Sequence, residues 1–271
     1  MERMNTTNHI LKLDKDTYVD KRTGEKKEFK HIENRYGSIN SLRQTFKKIR
    51  YLINNNFEGK ANELHVTLTY AENMTDPKRL YEDVKNFIKR LKYKYKGQTT
   101  IDYLNVVEPQ GRGAWHCHIL IRFNDVSTIY IPPNELAELW GHGFIKIKSL
   151  KDVDNIGAYL SAYLSDLELN LEEMDFNTMM RVSDLELEVV TKMIEGQEKK
   201  FIKGGRLHMY PPGMNLYRKS KGIVFPKREK MLYDNIKKIV GFAEPHYEKT
   251  YKVELEDFEN TIHFQQYNLK R

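Results

Sequence analysis

The stretch Glu108-Pro109-Gln110-Gly111-Arg112-Gly113-Ala114-Trp115-His116-Cys117-His118-Ile119-Leu120-Ile121 decides the reading of this chain. From Trp115 on it is apolar and β-prone. Alternate side chains of a strand point to one face, so His116 and His118 project together, with Cys117 opposite. Neutral imidazole is the commonest nitrogen ligand for a divalent metal. Gly111 and Gly113 mark a turn. Ile101 to Val107, ending at Glu108, is therefore the antiparallel partner of Trp115 to Phe123. Two imidazoles and a carboxylate leave coordination positions open, as a catalytic metal requires. A plain pair of structural strand histidines is the competing reading of His-x-His.

Outward from this hairpin the chain alternates strands and helices. Leu64 to Tyr70 alternates apolar and polar residues with strong β propensity, and His65 within it reads as structural. Pro77 to Tyr95 has helical spacing, with Leu80, Val84, Phe87, Ile88 and Leu91 inward. Pro132 or Pro133 opens a helix that stops at Gly141. Phe144 to Lys148 alternates, placing Lys146 and Lys148 on one face. Val153 to Leu169 reads as a helix, with Asp152 or Asp154 as N-cap. Its Tyr159 and Tyr163, four residues apart, share a helix face. An earlier helix spans Ser38 to Asn55. The order strand, helix, strand, strand, helix, strand, helix predicts an α+β fold, a central antiparallel RRM-like sheet with helices packed on it.

Three regions are expected: an N-terminal polar segment and helix over 1–60, the core over 61–170, and a basic C-terminal extension over 171–271. Asp20 to Lys27 reads as a solvated turn between short strands. A helix is expected over Asp184 to Glu195. Basic runs follow at Lys199 to Arg206 and Tyr217 to Ile223, and the alternation after Thr250 could add strands.

Composition narrows the function. The chain has 271 residues with net charge +7, which favours a polyanionic partner, nucleic acid first. Its 17 Tyr and 12 Phe supply rings on which unpaired bases could stack. Cys117 is the only cysteine, which excludes an intramolecular disulfide and a cysteine zinc site. No stretch has the length and apolarity of a membrane span, Met1 to Leu13 lacks an apolar signal core, and a cytoplasmic location is expected. No phosphate-binding Gly-x-x-x-x-Gly-Lys-Ser/Thr loop is present, so strand separation would need a host helicase.

The pattern Glu-x-Gln-x-x-Gly-x-x-His-x-His in Glu108–His118 resembles the metal motif of the HUH endonucleases. The nearest branch is the rolling-circle replication initiators of plasmids and single-stranded DNA phages. Leu64–Tyr70 resembles their first motif, and Tyr159-Leu160-Ser161-Ala162-Tyr163 resembles the tyrosine helix of two-tyrosine variants. The resemblance covers residues 64–169 well and the rest loosely. It implies that Glu108, His116 and His118 hold Mn²⁺ or Mg²⁺. It implies that Tyr163 attacks first and Tyr159 acts at termination, with a 5′-phosphotyrosine link and a 3′-OH primer. Single-stranded origin DNA, with a host helicase and polymerase, would be the partners. Arg112 and Trp115 beside the site, and Lys146, Lys148 and Lys151 nearby, are candidate DNA contacts. Related initiators often carry Lys between the tyrosines or three residues after the second. Here those places hold Ala162 and Asp166, so Lys146, Lys148 or Lys151 is expected to substitute.

Two other readings remain. A transposase or mobilisation relaxase would keep the chemistry, although relaxases usually place the tyrosine before the histidine motif. A non-catalytic single-stranded nucleic-acid-binding module would leave the histidines structural. Trp115–Phe123 lacks the aromatic pattern of an RNA-binding RRM.

Overall fold

A computed structural model describes residues 2–3, 10–28, 39–110, 112–153, 156–157, 160, 167–168, 189–194, 197–202, 206, 209–211, 213–227, 229–245, 247–255 and 258–267. The chain divides into two compact units, Met1–His31 with Lys227–Arg271, and Ile32–Pro226.

The first unit begins with β1 (Glu2–Arg3), β2 (Ile10–Lys12), β3 (Thr17–Asp20) and β4 (Lys26–Glu28). The second contains α1 (Ile39–Asn56), β5 (Glu63–Tyr70), α2 (Pro77–Lys94), β6 (Ile101–Pro109), β7 (Trp115–Phe123), α3 (Pro133–Trp140) and β8 (Gly143–Ser149). It continues with β9 (Leu167–Glu168), β10 (Val189–Ile194), β11 (Gln197–Ile202) and β12 (Tyr217–Lys219). The first unit resumes with α4 (Tyr233–Val240), β13 (Tyr247–Leu255) and β14 (Phe258–Gln266). No described helix is long and apolar enough to cross a membrane.

The fold is α+β, as the element order predicts. The second unit is built on a five-stranded sheet in the order β12-β6-β7-β5-β8, antiparallel throughout. The glycine-rich turn closes the β6–β7 hairpin. Gln110 N–H donates to Ala114 O at 2.7 Å and Gly113 N–H to Gln110 O at 2.9 Å. Gly113 has φ 84°, a region that a side chain disfavours.

α2 starts where its sequence says it should. Asp76 caps it by accepting from Lys78 N–H at 2.8 Å, and Pro77 occupies the first turn. Leu80, Val84, Phe87, Ile88 and Leu91 are buried, each burial stabilising by about 1.5–3 kcal/mol against the chain entropy lost. α3 ends at Gly141, whose left-handed φ of 72° lets its N–H return to Ala137 O.

The two faces of the sheet carry separate cores. On one, Leu64, Val66, Leu68, Cys117, Ile119 and Ile121 pack with α2 and α3. On the other, Leu104, Val106 and Leu120 pack with Ile49, Leu52 and Ile53 of α1, and with Leu150, Ile156, Leu160 and Ile223. Strand pairing makes this second face the one that carries His116 and His118.

Three readings change in the structure. The helix expected over Val153–Leu169 does not reach its predicted end. Residues 156, 157 and 160 are helical, but Leu167 and Glu168 pair with Ile202 and Phe201 as strand. The helix expected over Asp184–Glu195 is replaced at Val189–Ile194 by β10, which pairs with β11 from Val189↔Ile202 to Ile194↔Gln197. Val189, Val190, Thr191 and Ile194 are β-branched, stiff at χ1 and suited to a pleated surface. β12 adds an edge strand to the central sheet that its three residues were too few to announce. The alternation after Thr250 forms the β13–β14 hairpin, and Asp20–Lys27 contains the β3–β4 turn at Gly24, φ 74°.

Candidate metal centre

β6 and β7 bring the predicted ligands together by register. Glu108 lies opposite His116, and Val106 opposite His118. On the other side of β7, Thr67 lies opposite His118 and Thr69 opposite His116. Paired residues share a face, so the carboxylate and both imidazoles project on the side covered by α1.

The His118 ring is held at both nitrogens. Nε2 lies 2.7 Å from Glu108 Oε2. Nδ1 lies 3.2 Å from His65 Nε2 and 3.3 Å from Thr67 Oγ1. The Thr67 hydroxyl can donate or accept. His118 therefore has a partner for its proton on either nitrogen, and Nε2 can present an N–H to Glu108 or a lone pair to a cation. The rings of His65 and His118 stack at 5.4 Å between centroids.

Burial keeps these rings neutral. It pulls His118 down to about 4. It pulls His116 to about 4 as well, helped by His118 and Arg112. Burial first, then His118, Lys148 and Lys146, bring His65 to about 3. A neutral imidazole near neutral pH has the lone pair that a metal takes. His116 Nε2 is buried and has no hydrogen-bond partner. A buried polar atom without a partner costs about 1–3 kcal/mol, and an ion would relieve that cost here. Among the described residues no three His, Cys, Asp or Glu side chains are already clustered around a common point. Glu108 instead spends its two oxygens on His118 and on Arg206. The donor set of one carboxylate and two neutral imidazoles nevertheless fits a Mn²⁺ or Mg²⁺ ion.

Arg206 is the partner that sequence reasoning missed. Its guanidinium pairs with Glu108 Oε1 and donates from Nη1 to Pro109 O at 3.1 Å. Burial lowers it to about 10, so it stays cationic at neutral pH. Its Nε–H is buried without a partner. Tyr210, 1% exposed, fastens the same segment by donating its hydroxyl to Val107 O at 3.3 Å.

The remaining candidates separate. Arg112 is exposed at the hairpin tip and donates from Nε to Gln110 Oε1 at 3.2 Å. Lys146 and Lys148 lie opposite Thr67 and His65 on β8, on the face of the candidate ligands. Lys151 is exposed in the turn after β8. The structure does not bring Trp115 to this face. It is 3% exposed in the opposite core and donates from Nε1 to Thr75 O at 2.9 Å.

Tyr159 and Tyr163 lie outside the described residues. Their neighbours do not. Ile156 and Leu160 are buried in the core on the ligand face, and Gly157 N–H donates to Asn54 Oδ1 of α1 at 3.1 Å. A Cβ on Gly157 would stand 2.5 Å from Asn54 Oδ1 and 2.9 Å from Arg50 Cγ. Glycine is what permits this segment to lie so close to α1.

Residues 63–168 match the model of a family described as replication-associated protein ORF2. The matched region is less than half of the chain. It contains Glu108, His116, His118, Tyr159 and Tyr163, and stops short of Arg206. The match supports a replication-initiator role. No match was found among curated proteins or among solved structures.

Proposed function

We propose that this chain is a rolling-circle replication initiator of the two-tyrosine HUH type, which nicks single-stranded origin DNA by tyrosine transesterification. The observation that carries the reading is the Glu108–His118 contact of 2.7 Å beside the partnerless His116 Nε2, on the face against which Ile156 and Leu160 pack. Glu108, His116 and His118 would hold Mn²⁺ or Mg²⁺, which, when bound, polarises the scissile phosphate and offsets its developing negative charge.

The chain's own residues do the rest. The Tyr163 phenolic oxygen attacks phosphorus in line with the 3′ oxygen. The Tyr–O–P bond forms as the P–O3′ bond breaks. The phenolic proton passes to solvent and the departing 3′ oxygen takes one up. The products are a 5′-phosphotyrosine and a free 3′-OH that can prime a polymerase. The phosphotyrosine conserves the bond energy, so Tyr159 can repeat the transfer at termination without ATP. His65 and Thr67 fix the orientation of His118. Arg206, already cationic and buried beside Glu108, stands where the missing motif lysine would be needed to contact a phosphate oxygen, and Lys146 and Lys148 add positive charge on the same face. A host helicase and polymerase would act with the nicked origin.

The test incubates the chain with labelled single-stranded origin DNA and Mn²⁺, and looks for a shifted band that survives SDS. The band should vanish in His118→Ala and in the Tyr159→Phe/Tyr163→Phe double variant. A band that persists in the double variant rejects both nucleophiles.

A further inference from the structure

The back of the sheet holds a second feature that the nicking chemistry does not use. α2 leans over β6 and the edge strand β12 and leaves a cleft of about 280 Å³, near the lower end of ~300–1,000 Å³ for small-ligand clefts. Its floor is apolar, from Leu80, Val84 and Val107. Its walls are the rings of Tyr81 and Tyr103, the Arg218 guanidinium and the Asn105 amide. Asn105 lies opposite Ile119 on β7 and opposite Arg218 on β12. The cleft is therefore on the face away from His118, which pairs with Val106.

Two observations point to a ligand. The first is Asn105, only 3% exposed. Its Nδ2 donates to Cys117 Sγ at 3.6 Å, whereas its Oδ1 has no hydrogen bond among the described residues. A buried amide is ordinarily paired through both ends, and here the unpaired acceptor borders the cleft. The second is Arg218. Its guanidinium sits 3.6 Å from the Tyr81 ring centroid and has no carboxylate partner among the described residues. A flat apolar slot with two phenol rings, an unpaired amide acceptor and a free cation suits a planar heterocycle carrying an amine and joined to a phosphate.

We infer that this cleft binds one unpaired nucleobase of single-stranded DNA, with an exocyclic amine donating to Asn105 Oδ1, a Tyr81 or Tyr103 ring stacking on the base, and Arg218 meeting the adjoining phosphate. Adenine and cytosine carry that amine on their pairing edges, and thymine does not. The inference rests on the reading that the chain handles unpaired DNA. It is independent of the nicking step, because the cleft and the metal centre lie on opposite faces.

The experiment measures binding of short fluorescent oligo-dA, oligo-dC and oligo-dT to the full chain, in chelator and therefore without metal-dependent nicking. Oligo-dA and oligo-dC should bind about five- to tenfold more tightly than oligo-dT, the worth of one hydrogen bond in a stacked site. Asn105→Leu should erase the difference while retaining Mn²⁺-dependent nicking. Tyr81→Ala, a change on the outer side of α2, should weaken all three oligomers. His118→Ala should lose nicking and retain the base preference, so failure of the nicking reading would be seen separately. Equal binding of the three oligomers by the native chain, or a preference that survives Asn105→Leu, overturns the inference. Free dAMP binding as tightly as oligo-dA would overturn it too, by making the cleft a site for free nucleotide.

Discussion

The imidazoles of His65 and His118 stack face to face, with His65 Nε2 3.2 Å from His118 Nδ1. His65 reaches this position from a different strand. Residues that orient metal-ligating histidines are typically worth 10–100-fold in affinity. His65→Phe keeps a ring in the stack but removes the hydrogen-bonding nitrogens, and should weaken Mn²⁺ binding by about tenfold or more in a calorimetric titration. His65→Gln, which retains a polar reach toward His118, should lose less. Unchanged affinity in His65→Phe would leave His65 with packing alone.

Arg206 and an ion compete for the same carboxylate. Removing one member of a buried ion pair can cost ~3–5 kcal/mol, but Glu108 keeps its His118 contact, so Arg206→Met should lose less than that in chelator. Mn²⁺ should then raise the melting temperature of the variant more than that of the native chain, because binding to the folded state alone is stabilising and no guanidinium has to be displaced. An equal or smaller rise in the variant would show that Arg206 and the ion do not share Glu108.

Gly157 controls how closely the tyrosine-bearing segment approaches α1. A Cβ there meets Asn54 Oδ1 at 2.5 Å and Arg50 O at 3.1 Å. Gly157→Val should lower stability by about 1–3 kcal/mol, the usual cost of overpacking, and reduce covalent adduct formation by more than the unfolded fraction explains. Urea unfolding with an SDS-resistance assay on the same sample separates the two effects. Full adduct yield from the folded variant would detach nucleophile placement from this contact.

Asp102 links β6 to the segment after β12. Burial acts to raise its carboxyl, but Ser220 Oγ–H, Asn124 Nδ2–H and Arg122 Nη2–H all donate to it and together hold it below the ordinary value. A depressed folded-state value stabilises above the unfolded value of about 3.9, and that contribution is lost as pH falls through the folded value. Below pH ~4 the urea midpoint of Asp102→Asn should therefore fall less steeply with acid than that of the native chain. Parallel curves would mean that Asp102 is not a source of acid sensitivity.

The sequence carried what depends on neighbours in the chain. The alternation of Leu64–Tyr70 and Trp115–Phe123 fixes which side chains share a face, because a strand repeats every two residues. Pro77, Pro133 and Gly141 mark helix ends through backbone restrictions local to each residue. The Gly-rich turn sets the register that pairs Glu108 with His116. That was enough for the α+β sheet and for the pairing that puts the candidate ligands on one face.

Tertiary structure alone decided what comes from afar. Val189–Ile194 looked helical in isolation, yet it is a strand because Gln197–Ile202 folds back to pair with it. Trp115 adjoins His116 in sequence but belongs to the opposite core, since successive strand residues point to opposite faces. Arg206 read as one charge in a basic run, and only chain reversal sets its guanidinium against Glu108. Periodicity and turn chemistry are properties of short segments. Contacts across many residues depend on how those segments pack, and no local pattern encodes that.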